Sequence, residues 1–384
     1  MTDNKNIYFS GLNGLRFFAA LAVIVTHIEL IKWQMGYPSL YLANKIFFEL
    51  GGLGVVFFFV LSGFLITYLL LKEKEKAGTI DVKKFYLRRI LRIWPLYFLI
   101  TILGFFVLPH FHFMDIPYFS KFEAHLSILN LILFLVMLPN LAFAIFKPIP
   151  HIGQSWSIGV EEQFYLIWPW VVKNSKNILK TLCIIIALLI SIKIIVLFVF
   201  KLNPQNANLL ILKNFIAMFK IESMAIGGVG AWMVFKKKYF QKVLSNTVLI
   251  FSLVAVIALI YFTPSTIQDG IFLVYSVLFL IIILNVSLNT MSVIKIENKL
   301  FIFLGNISYG LYMYHLIVVA AFIGFLKYIG FQVDNSFVSQ LVVYSGAILL
   351  TILVAWLSYH YFESWFLKLK HKFTVIKSGS FTEE

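Results

Sequence analysis

Arg16 and His27 lie on the first apolar run and can handle charge and protons. They are eleven positions apart. On a 3.6-residue helix that spacing returns to within about 20° of the starting direction, so both fall on one face, separated by about 16 Å along the axis. An imidazole so placed can take a proton from a hydroxyl near neutral pH. The plainer reading is a snorkelling arginine and a histidine used in helix packing. A second group lies in Gln154-Ser155-Trp156-Ser157-Ile158-Gly159-Val160-Glu161-Glu162-Gln163-Phe164-Tyr165. It sets two adjacent carboxylates beside Trp156 and Tyr165, at the edge of the apolar run Leu166–Val172, where carboxylates are costly to place. Acids at a helix start, capped by Ser157, would explain one of them. One of the two acids is thus expected to do chemistry and the other to be the helix-start charge. The third group is Arg88, Arg89 and Arg92, just before Trp94-Pro95. Guanidinium groups bind phosphate bidentately, and the same charges can also fix membrane topology.

Lys220 and Glu222 stand within an apolar run, two positions apart, so they do not face each other. Charges in such a setting are functional or paired with another helix. Ser308, Tyr312 and His315 fall on one helical face, with Tyr309 beside them, and a tyrosine-rich packing face is the alternative. Ser62-Gly63 would allow a neighbouring helix to come close. Asn306 and Glu363 read as solvated helix ends. His110, His112, His125 and His151 lack the helical spacing of a zinc site, so no metal is expected. By position in their runs, His27, Glu161 and His315 fall at one depth, and Arg16 with Arg88–Arg92 at the other. That order suggests a path with a basic cytoplasmic mouth and an acid–base centre further out.

Membrane-spanning helices must position these groups. Of 384 residues, 61% are hydrophobic and only 13% charged. Soluble domains carry roughly a quarter charged residues. The fold class expected is therefore all-α, a polytopic membrane helical bundle. The net charge of +15 sits in short Lys/Arg runs between apolar segments, the positive-inside pattern rather than a nucleic-acid surface. One cysteine, Cys183, excludes a disulfide framework. The first run lacks a small-residue cleavage site and reads as a retained helix. Ten spans are expected: Leu12–Leu30, Ile46–Leu71, Ile93–Leu108, Ile158–Val172, Leu182–Phe200, Phe215–Phe235, Val248–Phe262, Ile271–Leu288, Phe301–Phe325 and Leu341–Phe362. The loop from Lys72 to Arg92 is strongly basic and should be cytoplasmic. Loop parity then makes 126–146, interrupted by Pro139-Asn140, a re-entrant or interfacial segment and puts both termini inside. The domain runs over 8–366, with a polar cytoplasmic tail over 367–384.

At these residues the chain resembles the acyltransferase-3 family of integral membrane acyltransferases. Gly14-Leu15-Arg16 through His27 resembles its Arg-x10-His first helix. Phe57-Phe58-Phe59-Val60-Leu61-Ser62-Gly63-Phe64-Leu65-Ile66 is similar to its second-helix signature, and Arg88-Arg89-Ile90-Leu91-Arg92-Ile93-Trp94-Pro95-Leu96-Tyr97 to its Arg-rich loop. Trp156-Ser157 through Glu161-Glu162-Gln163-Phe164-Tyr165 with Pro169 resembles its most diagnostic block. Ile307-Ser308-Tyr309-Gly310-Leu311-Tyr312-Met313-Tyr314-His315 is similar to its ninth-helix motif, and Ser358 with Glu363 to its closing one. Lys220-Ile221-Glu222 with Gly227 departs from the family's Arg-x-Asp…Gly pattern, which argues against bidentate binding there.

The resemblance implies transfer of an acyl group, usually acetyl from acetyl-CoA, to a hydroxyl of a cell-surface glycan or lipid-linked saccharide, in the inner membrane of a bacterium. Arg16, Arg88, Arg89 and Arg92 would hold the CoA phosphates. His27, oriented by Glu161 or another acid, would be general base, or would itself carry the acyl group transiently. Trp156, Ser157, Tyr165, Lys220, Glu222, Tyr309 and His315 would shape the pocket. Many relatives carry an additional hydrolase-like domain. The expectation here is that transfer is completed in the membrane domain or handed to separate glycan-assembly proteins. A transporter or exporter without acyl chemistry, or a membrane sensor, would also account for intramembrane charges.

Overall fold

A computed structural model describes residues 7–119, 127–146, 148–238, 240–263 and 268–376. Those residues form helices and turns, with no strand among them. Asn44 and Asp81, through their side-chain oxygens, cap the second and third helices, and Gly78 ends the second with a left-handed φ of 71°. In order, the helices are α1 (Leu12–Gln34), α2 (Lys45–Ala77), α3 (Val82–Ile102), α4 (Ile128–Leu135), α5 (Pro139–Ile145), α6 (Ser155–Asn174), α7 (Ile178–Leu202), α8 (Ala207–Met218), α9 (Ile221–Phe235), α10 (Asn246–Phe262), α11 (Gln268–Leu288), α12 (Lys299–Asn306), α13 (Ser308–Tyr328), α14 (Phe337–Ser358) and α15 (Ser364–Lys370). Among the described residues, seven stretches are long and apolar enough to cross a membrane. They fall on α1, α2, α3, α7, α11, α13 and α14. The other three expected spans differ in kind. α6 has 20 residues but carries Glu161, Glu162 and Gln163, while α9 and α10 have only 15 and 17 residues.

α2 is the axis of the bundle. A Cβ on its Gly63 would lie 1.9 Å from the carbonyl oxygen of Met224 on α9, and one on Gly227 of α9 would lie 2.0 Å from the carbonyl oxygen of Val60. The two backbones therefore touch, which only glycine allows. Gly54 gives α1 a similar approach, 2.7 Å from the carbonyl oxygen of Ala19. α6 runs alongside α2 in the same direction. Trp168 donates to Thr67 at 2.8 Å, and Lys74 donates to the carbonyls of Val172, Lys173 and Ser175 at 3.0, 2.8 and 3.1 Å. At the far end of α1, the fully buried pair Glu29–Lys32 (2.7 Å) is tied to α14 by Tyr344, which donates to Glu29 at 2.8 Å.

Three expectations need correction. The single span Phe215–Phe235 is two helices, because Lys220 leaves helical geometry with φ −103° and ψ 40°. The break puts Glu222 in the first turn of α9, where the positive end of the helix dipole favours a carboxylate. Phe301–Phe325 is likewise α12 and α13, meeting at Ile307. The fourth span begins at Ser155, not Ile158. Glu161 is thus its seventh residue, about 9 Å along the helix rather than at its entrance. Of the segment 126–146, whose first residue lies outside the described residues, 127–146 holds two helices of 8 and 7 residues, each too short to span. The second of them, α5, is anchored to α6 by reciprocal amide hydrogen bonds between Asn140 and Gln163 of 3.1 and 2.8 Å.

Candidate active site

The groups singled out from sequence sort into three places. The first is a cavity of about 810 Å³, bounded by α1, α2, α3, α6, α13 and the segment after α14. Arg16, Arg88, Arg89 and Arg92 all line it. They reach it differently. Arg16 is held by Asn13, one turn away, at 2.9 Å. Arg89 lies over the rings of Tyr165 and Phe85 (5.6 and 5.8 Å to the centroids), and its buried Nε has no hydrogen-bond partner. Arg88 is committed to the protein, donating to Glu73 at 3.1 Å and to the carbonyl of Phe373 at 2.9 Å.

Glu161 lines this same cavity, within electrostatic reach of Arg16, Arg89 and Arg92. This corrects the expected depth order: Glu161 stands with the arginines, not with His27. The reason is the parallel course of α6 and α2, which sets Tyr165 against Ser62 in a hydroxyl–hydroxyl hydrogen bond of 2.6 Å. Glu162 is not a helix-start charge. It points to the other side of α6, accepts from Trp94 Nε1 at 2.8 Å, and leaves its buried Oε1 without a partner. Ser157, Tyr165 and Tyr309 belong to the cavity wall. Tyr309 donates to the carbonyl of Ile93 at 2.8 Å and so fixes α13 to α3. Trp156 is not in the wall; its ring faces Phe59 with centroids 6.3 Å apart.

The second place is the histidine pair. His27 Nδ1 lies 3.2 Å from His315 Nε2, with ring centroids 4.8 Å apart. The shared depth read from sequence is therefore a contact. Neither ring lines the cavity. The link is Tyr312, which lines the cavity, hydrogen-bonds Ser157 at 2.7 Å, and sets its ring, tilted by 49°, with its centroid 5.7 Å from that of His315. The expected carboxylate partner of His27 is replaced: its ring bonds are to the Val23 carbonyl (2.8 Å) and to His315.

The third place holds Lys220 and Glu222, away from both. Glu222 pairs with Lys193 of α7, and Lys220 sits 3.7 Å from the ring centroid of Phe272 on α11. Neither lines the cavity. No group of three His, Cys, Asp or Glu side chains among the described residues is placed to hold a metal ion.

Residues 9–360 match the family of the acyltransferase domain. The chain belongs to the acyltransferase-3 family. Among its relatives, O-acetyltransferase OatA of Staphylococcus aureus strain NCTC 8325 is 29% identical over 379 residues, covering 93% of this chain and 57% of the relative. A second S. aureus protein (strain COL), whose O-acetyltransferase name is itself provisional, is 28% identical over 402 residues, covering 95% of this chain and 58% of its own. The chain thus spans less than three fifths of the length of these relatives. No solved structure matches it. In this acyltransferase-3 chain the arginine-rich, diagnostic and ninth-helix segments converge on one cavity. Sequence reasoning missed Glu363 and undervalued Ser62 and Tyr312. Glu363 was read as solvated, yet it is buried, accepts from Ser358 at 3.0 Å and lines the cavity. A π-helical turn over Tyr359–Glu363 rotates it inward, which 3.6-residue periodicity cannot reveal.

Proposed function

We propose that this protein is a membrane O-acyltransferase that moves an acyl group, most simply acetyl, from acyl-CoA to a hydroxyl of a cell-surface glycan or lipid-linked saccharide. Its place is the cytoplasmic membrane of a bacterium. The observation that carries the reading is the cavity in which Arg16, Arg89 and Arg92 face one space whose wall residue, Tyr312, adjoins the histidine pair. A polyanionic donor suits the arginines, whose planar guanidinium groups recognise phosphate. Arg88, already engaged by Glu73 and Phe373, frames the mouth rather than holding the donor.

His27 acts as general base. The carbonyl of Val23 only accepts, so Nδ1 of His27 carries the hydrogen and Nε2 is left with a free lone pair. Nε2 takes the proton of the acceptor hydroxyl while its oxygen bonds to the thioester carbonyl carbon. The C–S bond then breaks, and the CoA sulfur leaves with the proton returned from His27. On its way to His27 the acyl group passes the cavity-wall rings of Phe58 and Tyr312, which meet edge to face with centroids 6.0 Å apart. Glu161 balances the arginine charge beside the donor instead of orienting His27.

The test compares purified native protein with His27→Ala for acyl-CoA turnover, and measures acetate on surface glycan in cells carrying each. Loss of turnover by about 10²–10⁴-fold with normal folding and retained donor binding is expected. Turnover unchanged in the variant overturns the role of His27. A native protein that moves glycan or a small molecule without consuming acyl-CoA favours the transporter reading.

A further inference from the structure

The two histidines constrain each other's protons. His315 is fully buried, and its Nδ1 lies 2.6 Å from the carbonyl oxygen of Tyr312. A carbonyl cannot donate, so His315 Nδ1 bears the hydrogen and its Nε2 holds a lone pair. That lone pair is the atom 3.2 Å from His27 Nδ1. His27 Nδ1–H is therefore shared between the Val23 carbonyl at 2.8 Å and His315 Nε2. Every hydrogen in the pair is assigned by a backbone acceptor at its end, and only one arrangement satisfies all three contacts.

We propose that His315 is a positioning residue for the transfer reaction: a neutral imidazole, itself locked by Tyr312, that holds His27 in the tautomer with Nε2 free. This is a different role from lining the substrate pocket. It rests on the reading of His27 as general base. In serine hydrolases a carboxylate sets the tautomer of the base, and the wrong tautomer is costly. Here a second histidine does so. When His27 accepts a proton at Nε2, its Nδ1–H keeps both acceptors, so no second proton moves and the ring does not turn. Because the hydroxyl of Tyr312 is tied to Ser157 (2.7 Å) and to the carbonyl of Gln154 (3.2 Å), the segment holding His315 is also fastened to α6. The base is thereby referenced to the helix that carries Glu161.

The experiment uses full-length protein in detergent, labelled with 15N-histidine, as native protein, His315→Gln and His315→Phe, with His27 resonances assigned by difference against His27→Gln. Glutamine can both donate to Tyr312 and accept from His27; phenylalanine can do neither. We expect one His27 tautomer, protonated at Nδ1, in native protein and in His315→Gln, and a mixture containing protonated Nε2 in His315→Phe. Since Val23 still restrains the ring, kcat in His315→Phe should fall about tenfold to a hundredfold, with the KM for acetyl-CoA unchanged and most of kcat restored in His315→Gln. A single native-like tautomer in His315→Phe overturns the proposal, as does an equal loss in both variants. Should the tautomers behave as expected while His27→Ala still turns over acetyl-CoA, the pairing stands and the base assignment falls.

Discussion

Gly63 on α2 meets the carbonyl oxygen of Met224 on α9 so closely that a Cβ would stand 1.9 Å from it. The reverse contact, Gly227 against Val60, is equally tight at 2.0 Å. The obstructing atoms are backbone and cannot rotate away. Gly63→Ala and Gly227→Ala should each force α2 and α9 apart and cost about 2–3 kcal/mol, the upper range for overpacking. A thermal midpoint in detergent lower by several degrees is the expected reading. Gly52, which has open space where its Cβ would be, is the control, and Gly52→Ala should not lower the midpoint.

The arginines of the cavity should not be equivalent. Arg89→Ala and Arg92→Ala each remove a guanidinium that faces the cavity, and the affinity for CoA should fall about tenfold or more, as for loss of a charge-assisted hydrogen bond. Arg88→Ala should change affinity less than threefold, because that guanidinium already serves Glu73 and Phe373. Titration calorimetry with CoA ranks the three, and equal losses would place Arg88 in the donor site.

Lys193 and Glu222 form a mostly buried pair between α7 and α9, with side chains 17% and 6% exposed. Lys193→Ala leaves the carboxylate uncompensated and should destabilise the protein by about 3 kcal/mol, the low end for breaking a buried pair. Joint replacement, Lys193→Met with Glu222→Leu, should recover most of that loss. A double variant no better than the single one would show that Glu222 has another necessary partner.

His151 lies between α5 and α6, outside the seven long apolar stretches. Burial holds its imidazole down at about 4, against an ordinary value of 6.5. The unfolded chain therefore binds more protons than the folded one between those values. Stability is retained above about 6.5 and is lost as pH falls towards about 4, by on the order of 3 kcal/mol. His151→Gln should flatten that part of the profile; thermal midpoints at pH 7 and pH 5 measure it.

The long apolar helices were legible because hydropathy over roughly 20 residues is a strong signal. The depth shared by His27 and His315 followed from helical rise and is seen as the ring contact. The depth of Glu161 was not legible. The helix starts at Ser155, one turn before the apolar run that marks it in the sequence. The break at Lys220 carries no glycine or proline at the bend, and two adjacent glutamates give no sign of which faces the cavity. Glu363 needed a π-helical turn that periodicity hides.

The pairing of two imidazoles, with no carboxylate among the described residues hydrogen-bonded to either ring, has a dielectric consequence. A histidine–carboxylate couple keeps a permanent anion in surroundings that solvate ions poorly, and the protein bears that cost at all times. A couple of neutral rings rests without net charge, and with His27 as the proposed base a cation would exist there only for the lifetime of the transferred proton. On the proposed mechanism such a site would stay dry between turnovers and would protect an activated thioester from loss to water.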